Sequence, residues 1–566
     1  MPKRVQTIPV SDFQGGLNLN ADAFQLAKNE SPDLLNVDLD PLGGFRRRST
    51  VQWRADMSYP VKSLWGFSRG PSATGMFMTE QNGNIKYSLI TSVGSTWTSV
   101  PSSTVTWTPT GAGYPMMGIS FRNPANFSLN NCYIQRGGVN SVVRWEGGVV
   151  NATELGVAYS EDIDAPTDGN MPKAKFITSH RDFVFVANTT ESSIVHGSRI
   201  RWSHRGRPES WRSLDYIDIE PGTADHITAI VSWQDRLLVF KQNSTFMVSG
   251  YSNDTFEVVN ISRTVGTISQ NSIAVSDNGV FFFSWPYGVQ FFDGEKIDDV
   301  FANLRPLIQS NDITDATSVG ISLAWMDQKL YVSLPSGGAV ETVGNVSYTY
   351  VLDPLLSGTG WTRHQYEGKG IGVSLYLSDE LGNSESLMTL RSAYTAGPQI
   401  VIQPLESNAL FGDVLRTTSG TTTVDIASYY RTAWQDIDNA AIVKSWGRPI
   451  VVLDNANNYI LKCDAYKDYD SNFIAKYFNL NSVNSAGNFT WGPGVGTSSW
   501  VPAVYDPLDP TLTRWESETG PKLTIEKGGR LGRATSVALQ INGPEEQTPW
   551  SVNSITWKFI QKKVRS

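Results

Sequence analysis

Cysteine is almost missing from this chain of 566 residues: only Cys132 and Cys463 occur. Two thiols so far apart exclude a disulfide framework and a CxxC metal pair. They are expected as buried free thiols, because unpaired cysteine packs as a small hydrophobe. Long apolar runs are lacking too. No stretch of about 18 apolar residues is present, so no membrane segment is expected. Met1-Pro2-Lys3-Arg4 opens the chain without the apolar core of a secretory signal, and assembly in the cytoplasm is the corresponding expectation. Charge is sparse, at 18% of residues, with a net charge of −8; wrapping of nucleic acid by a basic surface is disfavoured. A duct through which DNA slides is a different case, because like-charge repulsion would keep it from sticking. The five histidines, His180, His196, His204, His226 and His364, form neither HxH nor HExxH, so a zinc site is not expected. With no GxxxxGK[ST] and no GxSxG, neither a nucleotide-driven motor nor a hydrolase elbow has support. No cofactor is expected.

Aromatics, glycine and proline are plentiful: 18 Trp, 21 Tyr, 24 Phe, 49 Gly and 28 Pro, with 40% of residues apolar. That is the composition of a well-buried protein of aromatic-rich strands joined by many turns, and the length calls for more than one core. From about residue 60 the recurring unit is a short strand, a polar turn and another short strand. Gln81-Asn82-Gly83-Asn84 sits between Met76-Phe77-Met78 and Ile85-Lys86-Tyr87, and Asn-Gly between apolar runs is a strong hairpin signal. Arg181 to Val186 is expected to pair with Arg199 to Ser203. Trp233-Gln234-Asp235-Arg236 leads into Leu237 to Phe240, Asp277-Asn278-Gly279 into Val280 to Phe283, and Trp325-Met326-Asp327-Gln328 into Leu330 to Ser333, with Tyr348 to Leu352 as its partner. Units recurring every 45 to 55 residues or so are the mark of four-stranded propeller blades. A β-sandwich with similar turn spacing is the alternative. Neither WD dipeptides nor Kelch double glycines recur, so the repeat is degenerate.

Helical signals are scarce. Ile297, Val300, Phe301, Leu304 and Ile308 suit one short amphipathic helix within Lys296 to Gln309, ended near Pro306. After about residue 400 the blade period is lost. Thr417 to Val424 reads as a loop or exposed strand, Ser428 to Trp434 and Ile450 to Asp454 as strands, and 484–513 as a long loop or protruding element. Arg533 to Gln561 reads as a hairpin turning at Gly543-Pro544 and ending in a basic tail.

Catalytic propellers are the obvious rivals, sialidase-like glycosidases above all. Their Asp-box has one near match, Val275-Ser276-Asp277-Asn278-Gly279, with valine at a position that needs serine, and a plain Asp-Asn-Gly turn explains it. A glycosidase needs two carboxylates across a cleft, and no spacing here nominates a pair. His204-Arg205-Gly206-Arg207 reads as an exposed basic turn, and Gly492-Pro493-Gly494-Val495-Gly496 as a loop tip. No catalytic, cofactor-binding or metal-binding residue is nominated. Basic clusters are few: Arg46, Arg47 and Arg48 near one end, Lys562, Lys563 and Arg565 near the other. Each is either a solvated run or a contact to an acidic neighbouring subunit or to DNA phosphates.

The opening segment, Phe13-Gln14-Gly15-Gly16-Leu17-Asn18 through Asn36-Val37-Asp38-Leu39 to Gly43-Gly44-Phe45-Arg46-Arg47-Arg48, resembles the N-terminus of the tail hub, or nozzle, proteins of short-tailed bacteriophages. Two further segments are similar to the same family: Arg207 to Trp211 with Ile227 to Gly250 and Gly288 to Gly294, and the terminal stretch from Gly532 to Arg565. The motifs are loose and spread over most of the chain. The resemblance implies a structural virion protein and no enzyme: a homohexamer below portal and adaptor, in contact with tail fibre or spike subunits, that retains the packaged genome and conducts double-stranded DNA during ejection. Its location would be the virion tail. A host-surface-binding tail or fibre protein is the alternative, and a carbohydrate-active propeller enzyme a more distant one. The expected fold is all-β, a β-propeller of roughly six blades with an additional β-rich platform or nozzle region formed by the chain termini. Residues 1–60 would be an N-terminal strap belonging to that platform, 61–400 the propeller, and 401–566 the C-terminal platform with long loops.

Overall fold

The computed structural model describes residues 5–56, 61–81, 84–91, 97–105, 107, 116–162, 164–309, 321–334, 348–356, 360–366, 370–391, 399–402, 413–417, 420–436, 442–454, 459–482, 490–493, 500–503, 523–528, 530–544 and 550–561. The chain divides into two units, one of residues 49–354 and 363–424, the other of 1–48, 355–362 and 425–566.

The first unit is a β-propeller. Five four-stranded antiparallel blades and a sixth that is part of a six-stranded sheet follow one another along the chain, their first strands being Val61–Phe67, Met117–Asn123, Lys173–His180, Ile227–Trp233, Ile273–Ser276 and Ser322–Met326. A seventh is composite. Gly370–Ser378, Ser384–Arg391 and Gln399–Ile402 supply three strands, and Gln52–Asp56 supplies the fourth, antiparallel to Gln399–Ile402. The first strands of the seventh and first blades lie side by side, so the ring closes. The ring thus has seven blades beside the roughly six expected, the seventh built from both ends of the repeat. The N-terminal strap accordingly stops at residue 48 rather than 60, and the propeller extends to residue 424 through the hairpin Asp413–Thr417 with Gly420–Val424.

Apolar side chains fill the space between successive blades. Trp65, Met78, Ile134 and Trp145 join the first two, Tyr133, Ile177, Val184 and Trp211 the second and third, and Phe185, Trp202, Ile230 and Phe246 the third and fourth. Ala229, Leu238, Phe240, Val280 and Phe282 join the fourth to the fifth. Phe281 stacks on Trp325 at 5.7 Å between the fifth and sixth. Ala55, Phe77, Trp97 and Leu387 seal the ring between the seventh and first. Middle strands are covered on both faces, which is why Gly279–Ser284 reads as an unbroken apolar run, buried throughout.

The hairpins predicted around polar turns form, several of them without glycine. Arg181 and Asp182 (φ 49° and 64°), Ser192 and Ser193 (47° and 67°), and Asp327 and Gln328 (49° and 56°) each give the two positive φ values of a tight hairpin turn. Asn82-Gly83 lies outside the described residues, although Gln81 and Asn84 pair across it. The recurrent turn aspartate also has a packing role. Arg122 donates to Asp182 of the next blade (3.0 Å), and Arg181 of that blade pairs with Asp235 of the one after (3.2 Å). Gln234 then donates to the carbonyl of Asp277 (3.2 Å).

The amphipathic helix expected over Lys296 to Gln309 is broken into three pieces. Ile297–Asp299 is the outer strand of the fifth blade, Ala302–Leu304 a 3-10 turn, and Pro306–Gln309 a single helical turn. Pro306 begins that turn instead of ending a helix, as suits a residue whose missing N–H is no loss in the first turn.

The second unit holds two main sheets. In one, Ser551–Gln561 is central: Gln6–Val10, Phe45–Arg47, Lys444–Trp446 and Ile450–Asp454 all pair with it. The other runs Leu34–Leu35, Tyr429–Arg431, Val537–Asn542, Tyr459–Lys467 and Lys476–Ser482. Val537–Asn542 and Ser551–Gln561 therefore belong to different sheets, and the expected terminal hairpin does not form. Each is an interior strand that satisfies its backbone with other partners. Within 484–513 the described residues give a two-stranded piece, Thr490–Pro493 with Trp500–Ala503.

Candidate interaction surfaces

The N-terminal segment is woven into the second unit. Phe13 packs edge-on to Phe45 (4.9 Å) and Tyr430 (5.5 Å), and Phe45 stacks on Tyr430 at 4.3 Å. Ser31 Oγ donates to the carbonyl of Arg431 (2.7 Å), Asn36 Nδ2 to the carbonyl of Ala427 (2.7 Å), and the Tyr429 hydroxyl to Asp33 (3.0 Å). Gly16 lies between Glu30 and Trp361 in a parallel register, at φ 62°, where a Cβ would stand 2.5 Å from the Trp361 carbonyl oxygen. Only glycine meets both demands.

This weaving decides the fate of the arginine run. Arg46 points outward, opposite Asp38 on one side and Ser551 on the other. Arg47 is buried, because side chains alternate across the strand. Arg48 is buried too, with its Nε donating to Asn36 Oδ1 at 3.0 Å. Of the three, Arg46 alone presents its side chain to solvent. Lys562, Lys563 and Arg565 lie outside the described residues. The strand leading to them passes Arg46 at Ser551 and ends at Gln561, ten residues or about 33 Å further on.

Several charges in the propeller are committed to pairs among the described residues. Arg199 makes a two-pronged contact with Asp218 (2.7 Å twice) and Arg201 another with Glu191 (2.8 and 2.9 Å), with the Tyr216 ring 3.8 and 4.8 Å from the two guanidinium carbons. Burial alone would raise the Glu191 carboxyl, but hydrogen bonding and charge from Arg201, with Arg199 adding, hold it at about 2. Between the second and third blades Arg144 pairs with the fully buried Glu209 (3.0 Å), which also accepts from the Tyr133 hydroxyl (2.9 Å). Burial, with Glu209 beside it, pushes the Tyr133 phenol up, so it stays the donor. The Arg207 side chain of the predicted basic turn pairs with Asp168, and His204 is buried. Ser276 in the Asp-box-like turn donates to the Gly279 carbonyl (2.8 Å) within an ordinary hairpin.

Both cysteines are buried free thiols, as predicted, and burial pushes Cys132 up to about 12, far from thiolate formation at neutral pH. Among the described residues no group of three or more His, Cys, Asp and Glu side chains is arranged to hold a metal ion. No helix is long and apolar enough to cross a membrane among the same residues.

One surface escaped sequence reasoning. On the five-stranded sheet of the second unit, Leu461, Cys463 and Ala465 face the core while Ile460 and Lys462 are exposed and Asp464 half-buried. Register carries that outer face across four strands. Arg431, Gln540, Asp464 and Tyr477 stand directly opposite one another in one row, and Tyr429, Asn542, Lys462 and Asn479 in the next. Side chains tie the rows together: Arg431 donates to Gln540 Oε1 (2.7 Å), Gln540 to Asn542 Oδ1 (2.8 Å), and Asn542 to Asp464 Oδ2 (2.8 Å). The only local signal was the alternation within Tyr459–Lys467; the rows need the register of strands more than 100 residues apart.

No family model matches the chain, and no curated protein matches it. Solved structures with likeness of fold include BBS1N in its complex with ARL6DN, at 10% identity over 66% of this chain and 98% of that one, with a TM-score of 0.37. The WD40 domain of Neurospora crassa Pan2 gives 9% identity over 62% and 90%, with a TM-score of 0.33. YCF48 from Cyanidioschyzon merolae gives 11% over 66% and 95%, with a TM-score of 0.26. These are propellers at very low identity, and neither activity nor partners pass from them to this chain.

Proposed function

We propose that this chain is the tail nozzle of a short-tailed bacteriophage, six copies of which form a channel below portal and adaptor that retains the packaged genome and conducts it during ejection. One observation carries the reading. The segment that resembles nozzle N-termini, Phe13 to Arg48, is built with residues 425–566 into one β unit, and the other unit is a seven-bladed propeller. A strap, a propeller and a platform made by both termini are the organisation that the resemblance implies. The composition supports the same role. Fixed ion pairs inside the blades suit a rigid block, and a net charge of −8 suits a duct through which DNA slides without adhering.

Electron cryomicroscopy of purified virions, and of the chain mixed with portal and adaptor, tests this. Six copies around the tail axis beneath the adaptor are the expected result. Threefold copies at the fibres, or failure to assemble with portal and adaptor, would overturn it. A channel wall that proved predominantly basic would refute the sliding argument separately.

A further inference from the structure

We infer that the outer face of the sheet containing Tyr459–Lys467 binds an oligosaccharide, independently of whether the chain is a nozzle. Its two rows of side chains set hydrogen-bond donors and acceptors side by side at the spacing of neighbouring strands, about 4.8 Å. Each row of four spans about 14 Å by the same spacing, the length of two or three pyranose rings. Hydroxyl-rich ligands need this kind of array, because every ring offers several groups that both donate and accept.

Two features make the face more than a solvated surface. First, its amides are held in place: Gln540 is fixed between Arg431 and Asn542, and Asn542 between Gln540 and Asp464. Side chains already ordered lose little further entropy on binding, one of the costs of forming an interface. Second, aromatic rings flank the array. Tyr477 ends one row with 82% of its surface exposed. Along the strand from Asp464 lies Tyr466, itself buried with Trp434 and in reach of the Arg431 guanidinium (4.9 Å), and Tyr469 packs against that cluster. Phe24, 68% exposed, lies against Tyr469 at 4.1 Å in a tilted arrangement. A sugar presents C–H groups on its faces and hydroxyls at its rim, so rings beside a polar array match it on both counts.

Charge argues for sugar over nucleic acid. The face mixes Arg431 and Lys462 with Asp464 directly among them, whereas backbone phosphates call for cations without an interposed carboxylate. A second copy of this chain is the remaining occupant, and the same variants separate it.

The test applies the full-length purified chain to an array of bacterial surface polysaccharide fragments and neutral and acidic oligosaccharides. Calorimetric titration with the strongest binder follows. Tyr477→Ala and Asp464→Ala are expected to weaken that binding by about tenfold or more, the loss of roughly one good ring or charged hydrogen-bond contact. Tyr477→Ala alters an exposed side chain, so an unchanged melting temperature is expected with it. Absence of binding to every array member, or binding unaffected by both variants, would overturn the inference. So would a change in sedimentation without any change in glycan binding, which would make the face an interface between copies.

Discussion

Arg54 offers the sharpest test of how the propeller closes. It sits on Gln52–Asp56, the strand that completes the seventh blade, and its side chain is wholly buried. Its Nη1 donates to Glu385 of the same blade (2.6 Å), and its Nη2 to Ser88 Oγ (3.3 Å) and the Leu89 carbonyl of the first blade. The guanidinium also lies over the Phe77 ring at 5.2 Å. One side chain thus bridges the seam of the ring. Arg54→Met keeps the apolar stem but strands a carboxylate with 11% exposure and an unmet carbonyl. Removing one partner of such a pair costs about 3–5 kcal/mol. The unit has roughly 370 residues, and at about 2.1 cal/mol/K per residue its unfolding entropy is about 0.8 kcal/mol/K. A fall in Tm of about 4–6 °C follows for the propeller transition, read by differential scanning calorimetry. Arg54→Met combined with Glu385→Leu removes both charges and should recover most of the loss, since an apolar pair of similar volume is often neutral or better. Burial holds the Glu385 carboxyl above its ordinary value against the pull of Arg54. Without the arginine it rises further, and its cost vanishes once it is protonated. The deficit of Arg54→Met should therefore shrink as pH falls. A single variant within about 1 °C of wild type, or a double variant as unstable as the single, would refute the seam argument.

His180 should give the propeller an acid-labile step. It is 4% exposed with Nδ1 2.8 Å from Ser232 Oγ, and burial, reinforced by the charge of Arg181, lowers it to about 4. The neutral ring's contribution is full above pH 6.5 and is lost as pH falls from there through about 4, a change of about 3 kcal/mol. His180→Gln should flatten that part of a stability profile measured by urea unfolding; an unchanged slope would show that the ring does not titrate as described. Gly16→Ala should loosen the N-terminal strap by about 2 kcal/mol or more, because both φ and the Trp361 carbonyl exclude a Cβ. Faster limited proteolysis within residues 5–48 is the expected readout; equal cleavage rates would contradict it.

The blades were legible where chemistry was local. A turn aspartate followed by an apolar run marks Asp182, Asp235, Asp277 and Asp327 in the sequence, because both the turn and the strand are written in neighbouring residues. The seventh blade was not legible, since its closing strand precedes the other three by more than 300 residues. The helix expected over Lys296 to Gln309 failed for a related reason. Ile297, Val300 and Phe301 have helical spacing, but Ile297 is claimed by Phe292 across a strand pair, and tertiary pairing overrides local period. Gly543-Pro544 misled similarly: Gly543 still donates to the Ser428 carbonyl, and the strands on either side of the pair belong to different sheets.

The arginine run shows where composition stops being a guide to surface. Three consecutive basic residues read as exposed, yet strand alternation turns Arg47 inward and Asn36 captures Arg48. Asn36 itself is fixed by the Ala427 carbonyl, nearly 400 residues away, so the burial of Arg48 depends on the C-terminal strands being in place. The polar rows on the neighbouring sheet obey the same logic in reverse. Arg431, Gln540, Asp464 and Tyr477 are unremarkable where they stand in the chain and become a surface only through register. In this protein the termini are therefore the least readable part of the sequence and the most informative part of the structure. Their side chains acquire meaning from long-range pairing, and the interaction surfaces of the second unit are products of that pairing.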